Sequence, residues 1–296
     1  MHDAFASLWA QLFSFADYGE LLALVRNSIV AGAVLGLTGG LVGVFVMARD
    51  LEFAVHAISE LSFAGAAAGL LLGIGVVEGS LAGSLAAALL IGILGSRARN
   101  RNSIIAVLMP FGLGLGILCL SLYSGRAANK FGLLTGQIVA VDNPRLTALL
   151  VICGIVVVAL LLVWRPLMFV SIDAQVAEAR GVPAVALSIV FMVLLGMSVA
   201  VSVQIVGSLL VLSVLVTPAA AALRLSASPV LVPVLSTVFA VVSMVGGILL
   251  ALGSSIPISP YVTTLSFLIY VVCRIVGGVR DRRLPRAPRL ATEVAS

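Results

Sequence analysis

Apolar residues run along this chain in long blocks, and short polar or charged intervals cut the blocks into segments of membrane-spanning length. A helix rises about 1.5 Å per residue, so about 20 apolar residues cross a bilayer core. Segments at 28–48, 54–73, 76–94, 104–123, 146–163, 184–201, 205–223, 230–252 and 260–275 meet or approach that length. They predict an all-α fold, a polytopic membrane helical bundle of about nine transmembrane helices, with about eight to ten allowed because broken helices blur hydropathy. Arg49-Asp50-Leu51-Glu52 makes the first short loop, and Ser202-Val203-Gln204 is read as a tight turn between the sixth and seventh spans. Gly32, Gly36, Gly39, Gly40 and Gly43 give the first span a small-residue face on which another helix can pack closely. Pro110 and Thr217-Pro218 mark expected kinks.

The interval 164–183 is too polar to span yet patterned. Asp173 offers an N-cap or first-turn acid, and Gly181 before Pro183 offers a stop, which predicts a helix of about two turns over 173–181. Residues 1–27 mix Trp9 and Tyr18 with acids and read as an interfacial lead-in. The membrane domain covers 28–276, and the tail 277–296, with Arg280, Arg282, Arg283, Arg286 and Arg289, reads as cytoplasmic and largely disordered. Residues 4–24 lack a basic n-region and a clear cleavage site, so no cleavable signal peptide is read there.

Composition agrees with the pattern. Of 296 residues, 61% are hydrophobic and 10% charged, against roughly 25% charged in soluble domains. The net charge of +5 sits in short loops and the tail, where the positive-inside rule accounts for it without nucleic acid. The 96–102 loop, the 164–183 interval and the tail then face the cytoplasm, the N-terminus faces outside, and Arg126 and Lys130 run mildly against the rule. Cys119, Cys153 and Cys273 fall in or near apolar segments without metal-ligand spacing and read as packing residues.

Chemistry enters with the second span, where His56 and Glu60 lie one helical turn apart on one face. Ionisable groups in a membrane helix need a partner, a water-filled path or an ion. Imidazole nitrogen with carboxylate oxygen suits Zn(II) or Mn(II), although zinc takes about four ligands and two do not complete a site. The plainer alternative is that His56 lies near the interface and Glu60 bonds a neighbouring serine or backbone group. Gln204, Ser208, Ser213 and Thr217 form a polar stripe, read either as path lining or as ordinary helix–helix hydrogen bonding. Asp142 reads as a solvated loop acid. Lys130 lies in no phosphate-binding Gly-x-x-x-x-Gly-Lys-Ser/Thr motif, and no nucleophile–base arrangement stands out.

Three stretches carry a family resemblance. The first is Val44-Phe-Val-Met-Ala-Arg49 followed by His56-Ala-Ile-Ser-Glu-Leu-Ser-Phe-Ala-Gly65, the second Ser171-Ile-Asp-Ala-Gln-Val-Ala-Glu-Ala-Arg-Gly-Val182, and the third Val206-Gly-Ser-Leu-Leu-Val-Leu-Ser-Val-Leu-Val-Thr-Pro-Ala-Ala219. In this order the chain, over about 25–278, resembles the membrane permease subunits of bacterial ABC importers for zinc and manganese. The resemblance implies a non-enzymatic transport subunit of the bacterial cytoplasmic membrane, working as a homodimer by alternating access. It further implies a separate ABC ATPase, an extracytoplasmic metal-binding protein, and no permanently bound cofactor, Zn(II) or Mn(II) being cargo. His56 and Glu60 are then the metal pair, Gln204, Ser208 and Thr217 candidate path residues, and Asp173, Ala177, Glu178 and Gly181 part of the helix that meets the ATPase. Where the family usually has Asp this chain has His56, and where it usually has His this chain has Glu60. The ligand types are kept and their order exchanged. A permease for a metal chelate or other organic substrate, and a self-sufficient secondary metal transporter, are the alternative expectations; no second-half repeat of the His56–Glu60 stretch supports the latter.

Overall fold

Glycine lets helices meet backbone to backbone, and the first three spans use this. The computed structural model describes residues 25–95, 98–125, 141–252 and 257–283. Residues 1–24 of the lead-in read over 1–27, the loop residues Arg126 and Lys130, and the tail beyond 283 lie outside the described residues, while Arg26 and Asn27 already belong to the first helix. The helices are α1 Arg26–Ala48, α2 Glu52–Leu72, α3 Val76–Leu94, α4 Ala98–Leu122, α5 Asn143–Ile172, α6 Ala174–Ala179, α7 Ala184–Val206, α8 Val211–Leu215, α9 Thr217–Leu225, α10 Leu231–Ala251 and α11 Ile258–Arg283. Among the described residues eight of them, α1–α5, α7, α10 and α11, are long and apolar enough to cross a membrane.

On α1, Gly36 and Gly40 lie against the α10 backbone at Val241 and Thr237, and Ser236 Oγ donates to Gly40 O at 2.7 Å. On α2, Gly65 and Gly69 face Gly79 and Gly83 of α3 so closely that a Cβ on Gly79 would overlap the Gly65 carbonyl oxygen. Ser62 and Ser80 hydroxyls pair across the same contact at 2.7 Å, and Ser80 Oγ donates to Ala200 O of α7 at 3.3 Å. Phe45 joins α1 to α5 and α7, its ring centroid 4.7 Å from Trp164 and 5.8 Å from Phe191.

The expected seventh span, 205–223, is not one helix. The turn expected at Ser202-Val203-Gln204 is instead helical: α7 continues to Val206, and Ser202 Oγ is satisfied within the helix by donating back to Ser198 O at 2.8 Å. The break falls at Gly207, whose φ of 92° is one that L side chains rarely adopt. A single 3-10 turn, Ser208–Leu210, leads into α8. The chain breaks again at Val216, and Pro218 takes an early position in α9, where its missing N–H is harmless. The fifth span is longer than its expected 146–163, since α5 runs on to Ile172 with Leu167 and Val170 buried.

The α2–α3 contact generates a prediction. Gly79→Val forces the two helices apart, and overpacking of this kind costs about 1–3 kcal/mol. The thermal unfolding midpoint in detergent should fall clearly for Gly79→Val and hardly at all for Gly154→Val on α5, where a Cβ meets nothing within 4 Å.

Candidate functional site

The site grows from one face of α2. At about 100° per residue, positions 56, 60, 63 and 67 share that face. His56 Nε2 stands 3.8 Å from Glu60 Oε1, and the side chains are 29% and 4% exposed. His56 Nδ1 and Glu60 Oε2 are buried and have no hydrogen-bond partner. Neither atom fits the plain reading of a group satisfied by a neighbouring serine or backbone.

Two walls flank this face. On one side α4 comes close: a Cβ on Gly112 would lie 3.0 Å from the Glu60 carbonyl carbon, and one on Gly116 would lie 3.3 Å from Ala64 Cα. On the other side Ser59 Oγ donates to Ser208 O at 2.8 Å, which holds the broken segment after α7 one residue from Glu60. Ser208 is itself buried, with an unpartnered Oγ. The partial exposure of His56 leaves the remaining side of the pair open.

A cavity of about 410 Å³ opens at the far end of α2, lined by Leu70, Glu78, Arg145, Leu149, Gln204 and Ile205 among others. Gln204 Nε2 is buried there without a partner. The break at Gly207 thus falls between Gln204 at the cavity and Ser208 beside the pair. The polar stripe read from the sequence does not lie on one continuous helix. Ser213 turns its carbonyl to Ser266 Oγ at 3.0 Å, and Thr217 lies beyond α8 at the start of α9. Among the described residues no group of three or more His, Cys, Asp or Glu could hold a metal ion, so a third donor from those residues is of another type. Ser59, Glu78 and Arg145 escaped the sequence reading. A serine or a span-end charge carries no periodic signal, and only the contact across helices singles it out.

The second feature is α6. Asp173 caps it, its Oδ1 accepting from Gln175 N and Val176 N, both at 3.0 Å. Ala177 is fully buried while Val176 and Glu178 are exposed. Gly181 closes the unit at φ 79°, where a Cβ would be strained. An open groove beside it is lined by Glu178, Gly181, Pro183, Val185 and Ile189.

Comparison with known proteins places this geometry among transporters. Residues 22–277 match the model of the ABC 3 transport family. The manganese transport system membrane protein MntC of Halalkalibacterium halodurans is 27% identical over 240 residues, covering 81% of this chain and 82% of that protein. The manganese import system permease protein ScaB of Streptococcus parasanguinis is 24% identical over 259 residues, covering 87% of this chain and 92% of that protein. In fold, the chain resembles a solved structure of PsaBC from Streptococcus pneumoniae in complex with Fab. The TM-score is 0.78 and the identity 23%, covering 88% of this chain and 95% of that one.

The capping geometry of α6 is testable. Asp173→Ala removes both acceptor bonds and costs about 1 kcal/mol. Amide exchange at Gln175 and Val176 should then run about fivefold faster, with exchange in α5 unchanged, measured by hydrogen–deuterium exchange.

Proposed function

The chain belongs to the ABC 3 transport family, and on that footing we propose that it is the permease subunit of an ATP-driven importer for a divalent transition metal, Mn(II) first and Zn(II) second. The single observation that carries the cargo is the His56–Glu60 pair, an imidazole and a carboxylate on a membrane helix with one buried, unpartnered atom each. Ser208 Oγ, held beside them through Ser59, is the proposed third donor. One nitrogen and two oxygens suit Mn(II), which favours oxygen ligands, and tolerate Zn(II). Manganese is also the metal in the names of MntC and ScaB.

The open side of the pair supports a homodimer, in which a second copy completes the coordination. Few, exchangeable ligands let the ion leave as well as enter. Gln204 and the cavity with Glu78 lie on the proposed route to the pair, and Thr217 on the route away from it. The end of the bundle carrying Arg49, Arg101 and Arg224 is cytoplasmic by the positive-inside rule, and the C-terminus lies with it. The opposite end receives the ion from an extracytoplasmic metal-binding protein. A separate ABC ATPase docks on α6 through Asp173, Glu178 and Gly181, with the buried Ala177 anchoring the helix beneath them, and its ATP cycle drives alternating access between the two copies.

Uptake of labelled Mn(II) in a strain that relies on this permease tests the reading. His56→Ala and Glu60→Ala should each lower uptake by about tenfold or more, with membrane levels and unfolding midpoint kept. Ser208→Ala should weaken Mn(II) uptake more than Zn(II) uptake. Normal uptake by a correctly folded His56→Ala, Glu60→Ala double variant would sink the path assignment.

A further inference from the structure

Two arginines meet at the basic end of the bundle without an ion pair. Arg49 follows α1, donates Nη2 to Ser188 Oγ on α7, and lies with its guanidinium carbon 5.6 Å from the Phe191 ring centroid. Arg101, near the start of α4, passes Gly95 at the end of α3, its Cγ 3.0 Å from where a Cβ there would stand. Its Nη2 donates to Arg49 O at 3.4 Å and Asp50 O at 3.5 Å. Arg49 Nη1 and Arg101 Nε are buried with no hydrogen-bond partner. Among the described residues neither arginine forms an ion pair. Burial, and then the like charge of Arg101, hold Arg49 below the usual arginine pKa.

Asp50 and Glu52 follow in the chain but pair with neither arginine, and adjacent, partly buried cations without a paired counter-charge are costly, so an anion is the missing component. The surroundings say which kind. Leu90, Ile93 and Leu94 of α3 are 42%, 59% and 54% exposed and form an apolar stripe that ends at Gly95, beside Arg101. An acyl chain can lie along such a stripe and bring its headgroup level with the arginines. Guanidinium forks pair well with phosphate oxygens, and basic sites between membrane helices hold anionic headgroups. We propose that Arg49 and Arg101, with the lipid-facing end of α3, bind the phosphodiester of an anionic phospholipid.

The test is thermal unfolding of the purified full chain in detergent, with added phosphatidylglycerol, phosphatidylcholine or inorganic phosphate. Phosphatidylglycerol should raise the midpoint by about 2–4 °C more than phosphatidylcholine does. An Arg49→Gln, Arg101→Gln double variant should lose that difference, and Arg180→Gln, on the exposed end of α6, should keep it. If the double variant does not survive purification, Arg101→Gln alone is read in the same way. Equal shifts from the two lipids in the unaltered protein overturn the proposal, as does a difference that persists without the arginines. A shift from inorganic phosphate as large as that from phosphatidylglycerol assigns the site to a free anion and overturns the lipid.

Discussion

A backbone carbonyl freed from its helix inside a bilayer must find another donor, and the middle of this protein is arranged around that requirement. The chain leaves helical geometry at Gly207, and the helix is interrupted again at Val216 ahead of Pro218, within a segment apolar enough to read as a span. Serines from neighbouring helices meet the freed carbonyls. Ser259 Oγ donates to Val206 O at 3.2 Å, Ser59 Oγ to Ser208 O at 2.8 Å, and Ser266 Oγ to Ser213 O at 3.0 Å. Those hydroxyls are short, so the helices that carry them must come close. The hydroxyls lie on α2 and α11, and α1 closes on the same segment through Gly39 and Gly43, which face Val214 and Leu215.

That arrangement also places the chemistry. The bond that satisfies Ser208 O comes from Ser59, and the helix turn that presents Ser59 also presents His56 and Glu60. The same contact thus holds the backbone of the broken segment one residue from a pair that cannot satisfy itself. The discontinuity separates Gln204 at the cavity from Ser208 beside the pair, giving two polar stations on either side of one glycine. A continuous helix would have projected both in register along one face and left no free carbonyl between them.

The two ends of the bundle differ in kind. At one end the charges are solvated or paired, as where Arg145 Nε lies 3.6 Å from Asp142 Oδ1. At the other, Arg49 and Arg101 are drawn in against Phe191, Ser188 and the carbonyls of Arg49 and Asp50. Their role at the helix end is structural. Their unbalanced charge is a separate property that packing does not remove.

Much of this was legible in the chain itself. Hydropathy determined the all-α membrane class and the limits of α3, because burying backbone in lipid leaves little choice but helix. Asp173 and Gly181 marked α6 because capping is local, and the i,i+4 spacing of His56 and Glu60 put them on one face of any helix that contained them. Neither the interruption at Gly207 nor the continuation of α7 through Ser202–Gln204 could be read, since apolar side chains look alike in whole and broken spans. The partners of the broken segment lie far away in sequence, Ser59 and Ser208 being 149 residues apart. Only tertiary packing decides such contacts. It set an isolated nitrogen–oxygen pair between two walls, α4 and the broken segment, with one side left open.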